Sequence, residues 1–100
     1  MNKTINFKEI EDKIKCSKPL LKEKFKVKDI GIFGSYIRGE QTENSDLDVL
    51  VEFAEWVGFF KFLELEEYLE ELLNLKVDLV SRKALKPKIG QNILREVVMI

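Results

Sequence analysis

Ile30–Phe53, IGIFGSYIRGEQTENSDLDVLVEF, decides how this chain folds, because two strand-like runs bracket a polar turn. The first run belongs to a strand candidate over Val27–Phe33, rich in β-branched and aromatic residues and closed by Gly34. The last run alternates, so Leu47, Val49, Val51 and Phe53 face one way and Asp48, Leu50 and Glu52 the other. Residues 34–45 between them contain two glycines and no apolar run, which predicts a loop with room for one helical turn.

Outward from this pair, Phe7, Ile10 and Ile14 recur at helical steps and predict a first helix that ends near Cys16. Ser17 ahead of Pro19 reads as the N-cap of a second helical stretch, with Leu20, Leu21 and Phe25 on its buried face. Phe59–Leu73 predicts the longest helix, stopped at Asn74, and its glutamates Glu64, Glu66, Glu67, Glu70 and Glu71 form a solvated face. Lys76–Ser81 predicts a third strand and residues 88–96 a last helix. Val97–Ile100 reads as a short final strand or an apolar tail. This order predicts an α/β (α+β) fold, a small mixed sheet of three to four strands flanked by helices, as one domain over residues 1–100.

Composition narrows the chemistry. Lys and Arg number 17 against 18 Asp and Glu, a net charge of −1, so the chain lacks the basicity of a stand-alone nucleic-acid binder and no stable nucleic-acid contact is expected. Charge is uneven along the chain, basic at both ends and acidic in the middle. With no histidine, imidazole bases and His-Cys zinc sites are excluded, and chemistry falls to carboxylates, hydroxyls, Lys, Arg or a metal. A single cysteine, Cys16, forms neither an internal disulfide nor a Cys-only zinc site, and its expected role is that of a small buried hydrophobe. Met1–Ile10 lacks the apolar core of a signal peptide and no run approaches the ~20 apolar residues of a membrane span, so a cytoplasmic protein without a membrane partner is expected.

Gly34-Ser35, ten residues, then Asp46-Leu47-Asp48 is a spacing with a mechanical meaning. Strand side chains alternate, so Asp46 and Asp48 share a face with Cα atoms about 6.5–7 Å apart. Carboxylates so placed can bridge two Mg²⁺ ions about 3.5–4 Å apart, the arrangement used for in-line displacement at phosphorus. Gly34 lets the backbone approach a bound group, and the Ser35 hydroxyl beside it can hold terminal phosphates of a nucleotide. Arg38, one of three arginines, adds a forked donor for phosphate, with an ion pair to Glu40 as the competing role.

These residues closely resemble the signature of minimal nucleotidyltransferases, the small members of the DNA polymerase β-like nucleotidyltransferase superfamily. The likeness covers Gly34-Ser35, Arg38-Gly39, Ser45-Asp46-Leu47-Asp48 and Val77-Asp78-Leu79-Val80, and departs from the pattern at Ile37, where small residues are common. It implies that Asp46, Asp48 and Asp78 are catalytic and bind two Mg²⁺ ions, that Asp78 helps deprotonate the acceptor, and that Gly34, Ser35 and Arg38 bind the triphosphate of ATP. Three of the five aspartates in a chain with 13 glutamates fall at these positions.

Larger relatives of this kind hold the acceptor with extra helical domains, for which 100 residues leave no room, so the acceptor is expected to come from another chain. Stand-alone minimal nucleotidyltransferases resemble the antitoxin half of two-component modules paired with a HEPN-domain toxin. The resemblance implies a protein adenylyltransferase that moves AMP from Mg-ATP to a tyrosine of that ribonuclease toxin, in a homo- or hetero-oligomer. Two alternatives stand beside it: a catalytically idle antitoxin that acts by contact, and a nucleotidyltransferase acting on a small molecule or RNA end. Trp56, Phe59 and Phe60 form an apolar knot expected in the core, with partner docking as the alternative. Tyr36 is expected to stack on a base, line the pocket mouth or pack half-exposed.

Overall fold

The computed structural model describes residues 6–100; Met1–Ile5, half of the stretch read for a leader, lie outside it. Helices α1 (Phe7–Phe25), α2 (Ser35–Arg38), α3 (Phe59–Leu73) and α4 (Pro87–Glu96) alternate with strands β1 (Val27–Phe33), β2 (Leu47–Phe53), β3 (Val77–Ser81) and β4 (Val98–Met99). The sheet runs β3-β2-β1-β4. It is mixed as expected, since β2 and β3 are parallel while β1 pairs antiparallel with both β2 and β4. No described helix is long and apolar enough to cross a membrane.

The predicted break near Cys16 is absent, and α1, not α3, is the longest helix, with Pro19 inside it. Proline in a helix interior costs about 3 kcal/mol. Against this, α1 buries Ile10, Ile14, Leu21 and Phe25, each worth about 1.5–3 kcal/mol. Ile14 and Leu21 are one heptad apart, so the apolar stripe passes Pro19 in register, and only an unbroken helix keeps both on the core. Ser17 is not an N-cap; its hydroxyl oxygen accepts from the Tyr68 hydroxyl at 3.1 Å and joins α1 to α3. Cys16 is exposed, contrary to expectation, because it lies off that stripe.

The core lies between α1, α3 and one sheet face, where Ile30, Ile32, Leu47, Val49, Val51, Val77 and Leu79 meet Leu65, Leu69 and Leu73. The expected alternation in β2 holds on this face. Leu50, on the face of Asp48, is buried as well, outside the main cluster together with Phe33. Two of the α3 glutamates are not merely solvated. β3 is a sheet edge, and its outward N–H groups donate to α3, Val77 to Glu70 Oε2 at 3.0 Å and Leu79 to Glu66 Oε2 at 3.1 Å. Asn74 ends α3 in the left-handed region, as its sequence position predicts.

The aromatic knot is also placed differently from expectation. Trp56 is 84% exposed and Phe60 80%, with Phe59 likewise outside, while Phe53 and Phe62 take the inner positions. The chain leaves β2 at Phe53 and starts α3 only at Phe59, so this group sits past the end of β2 remote from Asp46.

Candidate active site

The site assembles where β1 ends and β2 begins. Phe33 pairs with Asp48 across β1 and β2, and Asp48 pairs with Asp78 across β2 and β3. The parallel pairing of β2 with β3, which α3 spans, brings Asp78, thirty residues away, level with Asp48. Asp46 stands one residue before β2, whose first N–H, that of Leu47, donates to the Lys76 carbonyl at 2.8 Å. The loop leading to Asp46 is braced by its own side chains. Thr42 N–H donates to Ser45 Oγ at 2.9 Å and Ser45 N–H returns to the Thr42 carbonyl at 3.1 Å.

Gly34 makes the close approach possible. It turns the chain from β1 into α2 at φ 85° and ψ −151°, and a Cβ there would collide with Asp48 Oδ2. Asp48 is half-buried while Asp46 and Asp78 are exposed. Burial first, then the charges of Asp78 and Asp46, push the Asp48 carboxyl above its ordinary value, with Arg38 pulling the other way. Asp48 thus feels both neighbouring carboxylates. Among the described residues no three acidic or cysteine side chains close into a ready-made metal cage. A polar cavity of about 390 Å³, bordered by Ser45, Asp46, Asn74 and Lys76 among others, opens beside Asp46.

Ser35 begins α2 and is half-buried, and Arg38 ends it, exposed. Arg38 Nε donates to Glu40 Oε1 at 2.8 Å, the ion pair foreseen in the sequence, and Nη1 donates to Glu96 Oε1. The hydrogen bonds it donates to Glu40 first and Glu96 second raise the guanidinium pKa. Glu96 joins this region from the far end of the chain, beyond the sequence-based expectation. Its only sequence signal is that it and Asp78 are the sole acids in the basic last quarter of the chain. Tyr36 neither stacks in a pocket nor sits half-exposed; it is buried in the core, and burial followed by the nearby charge of Asp46 raises its hydroxyl pKa. Ile37, the departure from the small-residue pattern, packs against the same core.

The nucleotidyltransferase domain family matches residues 14–100 of this chain. The chain is 51% identical over 96 residues to protein adenylyltransferase MntA of Thermococcus cleftensis, covering 96% of this chain and 97% of that protein. A solved structure described as a minimal nucleotidyltransferase superposes with a TM-score of 0.82 at 31% identity, covering 97% of this chain and 98% of the other. A crystal structure of a toxin–antitoxin with AMP-PNP superposes with a TM-score of 0.74 at 31% identity, covering 89% of this chain and 70% of the other. A match over most of the chain, joined to a mixed sheet that aligns Asp48 with Asp78 beside a glycine turn, places the chain in the nucleotidyltransferase domain family, as an enzyme among its minimal members.

Proposed function

We propose that the chain transfers AMP from Mg-ATP to a tyrosine hydroxyl of a HEPN-domain toxin and thereby acts as its antitoxin, in a complex of the two proteins within the cytoplasm. The observation that carries this reading is the alignment of Asp48 with Asp78, next to Asp46 and against the Gly34 turn. The name of the Thermococcus relative and the toxin–antitoxin structure with AMP-PNP support the choice of a protein acceptor and an adenine nucleotide.

In this reading Asp46, Asp48 and Asp78 would hold the two Mg²⁺ ions, which would supply neutralisation of charge on the triphosphate. Gly34, Ser35 and Arg38 grip its outer phosphates. The tyrosine oxygen forms a bond to the α-phosphorus as the bond from that phosphorus to the bridging oxygen breaks, and pyrophosphate leaves with the electron pair. The phenolic proton passes to Asp78, exposed at the strand end and without a histidine to compete for the role.

Intact mass spectrometry of the neighbouring toxin, incubated with this chain and Mg-ATP, tests the reading. One or more added AMP units are expected. A toxin that is inhibited but unmodified would instead make the chain a contact-only antitoxin. Ser35→Ala and Arg38→Ala are each expected to lower kcat/KM for ATP by about one to two decades, the worth of a charge-assisted contact, with little change in Tm. Full activity in both variants would remove these residues from the site.

A further inference from the structure

We infer that Glu96 is a positioning residue of the nucleotide site, one carboxylate that fixes the Gly34 turn and aims the Arg38 guanidinium from the far end of the chain; the inference rests on the reading just given. Glu96 Oε2 accepts from Gly34 N–H at 3.0 Å while Oε1 accepts from Arg38 Nη1. Both oxygens therefore engage residues that the site reading gives to phosphate.

Its place is set by backbone pairing. β4 lies antiparallel to β1 with Gly31 opposite Met99 and Ile32 opposite Val98. Counting on along the same register brings Val97 level with Phe33 and Glu96 level with Gly34. Ile100 N–H donates to the Ile30 carbonyl at 2.9 Å and Val97 N–H to the Ile93 carbonyl at 2.8 Å, so Glu96 is held between the end of α4 and a docked strand. Gly31 permits the docking, since a Cβ there would lie 2.7 Å from Met99 Sδ and 2.8 Å from Val97 Cγ2. A strand of two residues buries little of its own, both being exposed. Its consequence for the site is to deliver Glu96.

The geometry also leaves Arg38 usable. Glu40 takes the Nε–H and Glu96 one Nη1–H, and the second Nη1–H and both Nη2–H groups stay available to a phosphate. A long side chain, 48% exposed, would otherwise have to be ordered by the nucleotide itself, at the cost of affinity. Held from two sides, it is ordered beforehand. Glu96, at 24% the less exposed partner, is the fixed end of the pair. Its carboxyl lies below its usual value, through the Arg38 bond first and the Gly34 bond second, so it stays charged in that role.

Calorimetric titration of the full chain with Mg²⁺ and a non-hydrolysable ATP analogue tests the inference, alongside steady-state kinetics with the toxin and Tm. Glu96→Gln keeps an oxygen for Gly34 N–H but loses the charge that aims Arg38. It should weaken analogue binding about tenfold and raise KM for ATP, with KM for the toxin unmoved and Tm lowered only slightly. In the Arg38→Ala background the same change should cost less than about twofold, since it acts through Arg38. An equal cost in both backgrounds would make Glu96 an independent brace, tighter binding would make it a competitor for the phosphate site, and no change would leave it idle; each result overturns the inference. If wild type and Arg38→Ala bind the analogue alike, the assignment of Arg38 to phosphate fails, and the inference with it.

Discussion

Replacing Asp48 with asparagine is expected to lower AMP transfer by at least about a hundredfold, some 2.7 kcal/mol of transition-state stabilisation, while the metal-free protein melts at the same temperature or higher. The two halves of this result have one cause. Asp48 is half-buried beside two further carboxylates, and its carboxyl is raised by burial first and by Asp78 and Asp46 next. A carboxyl raised in the folded state favours folding when protonated. Its contribution is full in acid, below the unfolded value, and is lost as pH rises through the folded one, so at neutral pH its charge opposes the fold. Asparagine removes that charge and with it the ability to hold a cation. Asp46→Asn should behave alike, relieving Asp48 of a neighbouring charge. Scanning Tm from acid to neutral pH checks the sign, because the advantage of Asp48→Asn over wild type should grow as pH rises. A loss of about 1 kcal/mol or more in metal-free stability with transfer intact would mark Asp48 as a structural cap instead.

Gly34→Ala is expected to be the most destabilising single-methyl change at the site, at about 3–5 kcal/mol by urea unfolding, and to abolish transfer. The backbone at φ 85° and ψ −151° belongs to a region that only glycine occupies at ease, and the new methyl would meet Asp48 Oδ2. Either the turn opens or Asp48 rotates away from Asp78, and each outcome disperses the carboxylates. Gly39→Ala is the control. Gly39 also has a positive φ, 72°, but no atom lies within 4 Å of its would-be Cβ, so only the backbone penalty of about 1–2 kcal/mol remains. Equal costs at the two positions would mean that contact with Asp48 does not determine the need for glycine at 34.

The parts of this design that short-range pattern encodes were legible in the sequence. β2 announced itself by alternation and β1 by its β-branched run into Gly34, while Asp78 entered only through the family resemblance. Contacts between distant segments were not. Glu96 lies 62 residues from Gly34, and nothing local distinguishes it from a solvated helix end. Pro19 misled because its local penalty is real, while the heptad stripe that outweighs it acts through α3 and the sheet. Trp56, Phe59 and Phe60 misled for a related reason. Hydrophobicity predicts burial, but Phe53 and Phe62 already fill the inner positions at that end of the sheet. The resemblance implies the three carboxylates; the pairing of β2 with β3 brings Asp48 and Asp78 level.

On the proposed reading Asp46, Asp48 and Asp78 form one metal-dependent nucleotide site, which calorimetric titration of a non-hydrolysable ATP analogue into the full chain, with Mg²⁺ and with EDTA, probes in a single experiment. The wild-type chain should bind the analogue with Mg²⁺ at least about tenfold more tightly than with EDTA, and that difference should vanish in Asp48→Asn and in Asp78→Asn. Binding of equal strength with and without Mg²⁺, or a Mg²⁺ dependence undiminished in both variants, would mean that these carboxylates do not form such a site.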